Sequence, residues 1–241
     1  MDTFFKAQLP PDIATLVDDI ESLAKREISI EVDTRLVSPT SPNPDSLVAR
    51  VTPTEATILL RSRDVFRPHD VLHELLHIER MWVERIPQLV PIHDPHGTRS
   101  KIATDIENAL EHLVIVPREA NYGFDPYPYW NETSRRNWAE YPWPAMTDPW
   151  WRRKACLLGW LTVFYLVNDP GVKRHVEECL RKEGLLDEAQ RFSARIGEKL
   201  VSKPQAQSAV LRFLEIPTTD FMIVRFKVND GTIEKSRLPP H

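Results

Sequence analysis

Two histidines four residues apart, with a glutamate directly after the first, carry the clearest chemistry in this chain: His73-Glu74-Leu75-Leu76-His77. On an α-helix, positions i and i+4 are about 40° apart around the axis, so His73 and His77 project side by side. Two neutral imidazoles so placed can share a metal ion, and zinc best matches such donors. Glu74 stands about 100° from His73, beside the ion rather than on it, where a carboxylate can accept a proton from metal-coordinated water. A catalytic zinc takes three protein ligands and keeps a fourth position open. The next helical stretch, Ile106-Glu107-Asn108-Ala109-Leu110-Glu111-His112, brings two more acids at i, i+4: Glu107 and Glu111. His112 is about 140° from Glu107, so the two cannot serve one ion. His112 and the loop residues His93 and His96 are candidates for stabilising a developing oxyanion. His69 shares the face of His73, and reads either as an exposed helix-start residue or as a group supporting the site.

The elements that must position these groups are legible as changes of period. Ile13, Leu16, Val17, Ile20, Leu23 and Ala24 recur as one helical face after Pro11-Asp12. Ile28, Ile30 and Val32 then alternate with polar residues, as in a half-buried strand. After a proline-rich turn over 38–45, Leu47–Val51 and Ala56–Leu60 flank Thr52-Pro53-Thr54 and predict a hairpin, with 56–60 as an edge strand along the cleft. The HExxH helix is expected from Pro68 to Ile86, before Pro87, and the second from Thr98 to Val116, ended by Pro117. Residues 121–151 interleave ten aromatic residues with prolines and read as a long irregular segment. This segment is either a lid over the cleft or packing for the C-terminal helices. The last third is helical over 150–167, 170–183, 187–200 and 206–214, and Asn229-Asp230-Gly231 closes the chain with a hairpin after the strand 221–228. The phase of the second helix separates its two glutamates. Ile102, Ile106, Ala109, Leu110 and Leu113 form the buried stripe, Glu107 lies at its edge, and Glu111 points further towards solvent.

A helix, a strand, a hairpin, the HExxH helix and a further helix, in that order, resemble the zincin metallopeptidases. The Glu107/Glu111 helix resembles the gluzincin pattern within them. That resemblance implies zinc as the cofactor, His73, His77 and Glu107 as its ligands, and Glu74 as the catalytic base. It implies an acidic residue four positions after the third ligand, here Glu111 in place of the usual aspartate, that hydrogen-bonds a ligand histidine or takes the alternative ligand position. It also implies an edge strand that pairs with extended substrate backbone. The segment is similar, more loosely, to the ImmA/IrrE-type branch over about residues 10–120. The fold class expected is α+β: a zincin-like catalytic half over 1–120, an aromatic and proline-rich connection over 121–151, and a mainly helical region over 152–241 ending in a hairpin.

The composition agrees with a protein of this class. Hydrophobic residues make up 41% and charged residues 27% of 241, the balance of a soluble globular chain. The net charge of −4 argues against nucleic acid or an anionic membrane as partner, and the metallopeptidase resemblance implies a protein or peptide substrate. Seven glycines, with no GxGxxG or GK[ST] pattern, exclude a phosphate-cradling loop, and two cysteines exclude a disulfide framework. The absence of a leader-like N-terminus gives the expectation of a cytoplasmic protein. Two alternatives remain at this level: a zincin-fold binding or regulatory module with a structural or vestigial metal site, and a metal hydrolase acting on a non-peptide amide.

Overall fold

A computed structural model of the chain describes residues 1–34, 47–63, 66–94, 96–143 and 146–239. The fold is α+β and divides into two compact units, each discontinuous in sequence.

The first unit comprises Met1–Gln88, Arg118–Phe124 and Val224–Lys235. It opens with a short helix, α1 (Thr3–Lys6), and with α2 (Pro11–Ala24), whose first-turn proline and buried Ile13, Leu16, Val17 and Ile20 follow the periodicity of the sequence. Three strands come next: β1 (Ile28–Val32), β2 (Val48–Val51) and β3 (Ala56–Leu60). The predicted hairpin forms, with Val48 opposite Leu59 and Val51 opposite Ala56 in antiparallel register. The expected edge position of 56–60 is wrong, however. β3 is the central strand, parallel to β1 on one side and antiparallel to β2 on the other, and all five of its residues are buried. Its side chains, Ala-Thr-Ile-Leu-Leu, lack the polar alternation of a one-faced strand and read as a strand covered on both faces. The edge next to the HExxH helix is therefore β2. The proline-rich turn expected over 38–45 lies outside the described residues.

The HExxH helix, α3 (Pro68–Trp82), packs on α2, β2 and β3, burying Val71, Leu72, Leu75, Leu76 and Ile78. It ends at Trp82, four residues before the expected Ile86. The Trp82 indole N–H donates to the Thr52 carbonyl at 2.7 Å, which ties the end of α3 to the β2–β3 turn.

The second unit comprises Leu89–Pro117, Asp125–Ile223 and Ser236–His241. A strand not foreseen from the sequence, β4 (Gln88–Pro91), leads into α4 (Thr98–Glu119). The 121–151 stretch is not irregular: it holds α5 (Tyr127–Ala139), started by Pro126 and Pro128 in positions where a missing N–H costs nothing. The helices α6 (Pro149–Leu166), α7 (Pro170–Lys182), α8 (Leu186–Gly197) and α9 (Lys203–Phe213) lie close to expectation. Asp148 and Asp169 cap α6 and α7 with side-chain oxygens on two backbone N–H groups each. Cys156 and Cys179 are buried free thiols. Among the described residues no helix is long and apolar enough to cross a membrane.

β5 (Phe221–Lys227) joins β4 to β6 (Thr232–Ser236) in a second three-stranded sheet of order β4-β5-β6. The Asp230-Gly231 signal is borne out, with Gly231 at φ +65°, the left-handed conformation that ends the turn.

Helix α4 departs from expectation in one consequential way. It does not stop at Pro117, which lies inside it. The proline removes the hydrogen bond its own N–H would donate and crowds the carbonyl four residues before it, yet the helix runs two residues past it. The chain continues through Arg118 and Glu119, tightens into a 3-10 turn over Ala120–Tyr122, and leaves through Gly123 at φ +79°.

Candidate metal centre

The two residues after Pro117 are the ones that meet α3. Arg118 ion-pairs with Glu79 and donates to Glu84 at 2.7 Å, both acids of α3 or the turn just after it. Glu119, 1% exposed, accepts hydrogen bonds on its two oxygens from two histidines of α3: His73 Nδ1 to Oε1 at 2.8 Å, and His69 Nε2 to Oε2 at 2.7 Å. Burial pushes the Glu119 pKa up, but the two imidazole hydrogen bonds and the charges of both rings outweigh it and hold the carboxyl below its ordinary value. An ionised carboxylate has only lone pairs to offer, so the imidazole nitrogens facing it carry the protons. His73 in its neutral form is thereby fixed as the tautomer with a lone pair on Nε2, the arrangement in which a histidine binds a metal. His69 also stacks flat on Phe124, with ring centroids 4.8 Å apart.

His77 stands edge-on to His73, with centroids 5.1 Å apart, as the i, i+4 spacing requires. Glu74 turns its Oε2 to the backbone N–H of Ala49 on β2, at 3.0 Å. Burial raises the Glu74 pKa. The His73 charge and the Ala49 N–H oppose that, Asp70 reinforces it, and the net direction is upward. For His73, burial lowers the pKa most, yet the Glu119 hydrogen bond and the charges of Glu74, Glu119 and Asp70 bring the net above the ordinary imidazole value.

His73 and His77 each offer a ring nitrogen to a metal ion, and His112 of α4 is the candidate third donor. His112 is placed by α4 itself, one unbroken helix. Seven residues separate it from Glu119, so the two share a face to within about 20° and stand about 10 Å apart along the axis. The donor set fits zinc. Three imidazole nitrogens are the ligands of one established class of catalytic zinc site, and a carboxylate on the far nitrogen of one of them is the usual outer support.

The other expected site residues lie elsewhere. Glu107 is not in the group: its Oε1 accepts from the Leu89 N–H at 3.0 Å and the Gln207 amide at 2.6 Å, and its Oε2 meets the Lys203 ammonium at 2.7 Å. Glu111 does not point towards solvent. It is 3% exposed and pairs with the same Lys203. Both acids are part of a buried ion cluster between α4 and α9; burial raises the Glu107 pKa, Lys203 and Gln207 oppose it, Glu111 adds to it, and the net direction is upward. His93 and His96 are exposed in the turn before α4 and do not join the group. Ile102, Ile106, Ala109, Leu110 and Leu113 are the buried stripe of α4 as expected, and the acids beside it are satisfied by a lysine some ninety residues on. The signal for His112 and Glu119 was present as the heptad spacing of a histidine and an acid. It was hidden by taking Pro117 as the end of the helix. No protein-family model, curated protein or solved structure matches this chain.

Proposed function

We propose that the chain is a zinc-dependent metallopeptidase of zincin type, with His73, His77 and His112 as zinc ligands and Glu74 as the proton-transferring base. The observation that carries this reading is the pair of hydrogen bonds around the HExxH motif. A buried carboxylate fixes His73 for coordination through Nε2, and a backbone N–H holds one oxygen of Glu74. Neither bond is needed by a helix whose histidines are incidental.

A bound zinc ion supplies Lewis acidity, lowering the pKa of a water towards neutrality and polarising a carbonyl. The rest belongs to the chain. His73, His77 and His112 bind, and Glu119 orients. Glu74 Oε2 is anchored on Ala49, which leaves Oε1 to take the proton from the attacking water and pass it to the leaving amine. A carboxyl pKa raised by burial suits that exchange near neutral pH. The edge strand β2, whose Ala49 orients Glu74, offers extended substrate backbone a strand to pair with. A histidine as third ligand replaces the glutamate of the gluzincin pattern.

The test is metal content by elemental analysis, with wild type beside His77→Ala, His112→Ala and Glu107→Ala, followed by turnover of peptide libraries by Glu74→Gln. Zinc near one per chain is expected, lost in both histidine variants and retained in Glu107→Ala. Glu74→Gln should keep its zinc and lose about a hundredfold or more in turnover. Zinc retained by His112→Ala would overturn the ligand set. Full turnover by Glu74→Gln would overturn the mechanism, and a zinc-loaded chain that cleaves nothing would favour a regulatory module with a structural metal.

A further inference from the structure

His112 also lines a cavity of about 340 Å³ inside the second unit. One face of α4 forms one wall, with Lys101, Asp105, Asn108 and His112 spaced i, i+4, i+7, i+11, and one face of α6, including Trp151 and Lys154, forms the other. The cavity is an elongated groove with a histidine at one end and a charged trio at the other.

That trio does not balance. Lys154, only 4% exposed, ion-pairs with Asp105 and stands 4.4 Å from the centre of the Trp151 ring, while Lys101 approaches the same Asp105 at 3.6 Å. Two ammonium groups thus share one carboxylate at the wall of a cavity. Burial pushes the Lys154 pKa down, Asp105 opposes this, Lys101 adds to it, and the net direction is downward. Asp105 is thus the one carboxylate between a buried ammonium and Lys101, whose side chain is 68% exposed, and the groove beside them has room for an anion.

We propose that the groove between α4 and α6 binds a carboxylate of the peptide substrate at Lys154 and Lys101. Asp105 and His112 are seven residues apart on one helix, or about 10 Å, and extended chain advances about 3.3 Å per residue. The carboxylate recognised is then about three residues from the bond cleaved. This spacing rests on the metal-centre reading. The preference for an anion rests on the groove alone.

The experiment is calorimetric binding to the full chain of three peptides: acetyl-trialanine with a free C-terminal carboxylate, the same peptide as its C-terminal amide, and acetyl-Ala-Ala-Glu amide. Wild type, Lys101→Met, Lys154→Met, Asp105→Asn and His77→Ala are compared, with zinc content measured for each. A carboxylate peptide is expected to bind about tenfold tighter than the neutral amide, as for a charge-assisted contact in a partly buried site. Which of the two carboxylate peptides shows the preference identifies a chain terminus or an acidic side chain as the source. Lys154→Met and Lys101→Met should each reduce the preference. Asp105→Asn should tighten carboxylate binding severalfold and leave the neutral amide unchanged, a gain that misfolding cannot produce. Equal binding of all three peptides by wild type, or no gain in Asp105→Asn, would overturn the proposal. His77→Ala separates the two readings. A preference kept without zinc confirms the groove whatever the metal does. A preference lost together with zinc assigns the carboxylate to the metal and overturns the groove. A zinc-loaded wild type without any preference leaves the metal centre standing and removes the groove.

Discussion

At the scale of single residues, the site turns on what each imidazole nitrogen faces. Glu119 has its two oxygens on two different histidines, so replacing it tests orientation without touching a ligand. Glu119→Gln is expected to weaken zinc by about tenfold to a hundredfold, the usual loss when the outer partner of a ligand histidine is removed, measured by competition with a chromophoric chelator. His69→Ala should cost less, because it leaves the His73–Glu119 bond in place. An unchanged affinity in Glu119→Gln would mean that His73 needs no orienting partner. The pair His73 and His77 with Glu74 was legible in the sequence, because a helix converts a four-residue spacing into adjacency without help from the rest of the fold. Glu119 and His112 were not, because their meeting with α3 depends on a tertiary contact and on two residues of helix beyond a proline.

At the scale of elements, α4 is pinned at three levels, and the buried charges belong to its anchoring. Lys203 of α9 is 7% exposed and pairs with both Glu107 and Glu111. Lys203→Met removes the cation that pairs with both buried acids, and should cost about 3–5 kcal/mol in urea unfolding, while zinc content of the folded fraction is kept. The pH dependence has a defined sign. Burial raises the Glu107 pKa in the folded state, so its protonated form contributes stability that is complete below the unfolded value of about 4.3 and is lost as pH rises through the folded value. Compared with wild type, Glu107→Gln should gain in Tm as pH goes from about 4 to about 7. A constant difference across that range would mean that Glu107 titrates alike in both states. Phase could favour Glu107 over Glu111 but not name its partner: a buried edge position demands one, and Lys203 supplies it. The same limit applied to β3, where an apolar run fixed a strand but its central position came only from the pairing of β1 across the intervening chain.

For the molecule as a whole, a ligand that binds only the folded chain must raise its stability in proportion to the logarithm of its concentration. Zinc at about a hundred times its dissociation constant should add about 2.7 kcal/mol, or roughly 5–10 °C in Tm for a chain of this length, and a strong chelator should reverse it. His77→Ala should show neither response. Element existence and order were largely read from the sequence. The discontinuous division into units was not, since α4 and β5 each run from one unit into the other and no local signal marks such a passage. That passage gives α4 a property unlike that of its neighbours. Its successive faces carry the groove wall, the lysine-bound acids, His112 and Glu119, all in fixed rotational phase. One residue inserted near Val114 would turn everything before it by about 100° relative to Glu119 while altering no functional side chain. Seven inserted residues would restore the angle but displace it by about 10 Å. Natural variants of this chain should therefore differ in the letters of this helix and in the lengths of its loops, but not in the residue count between positions 101 and 119.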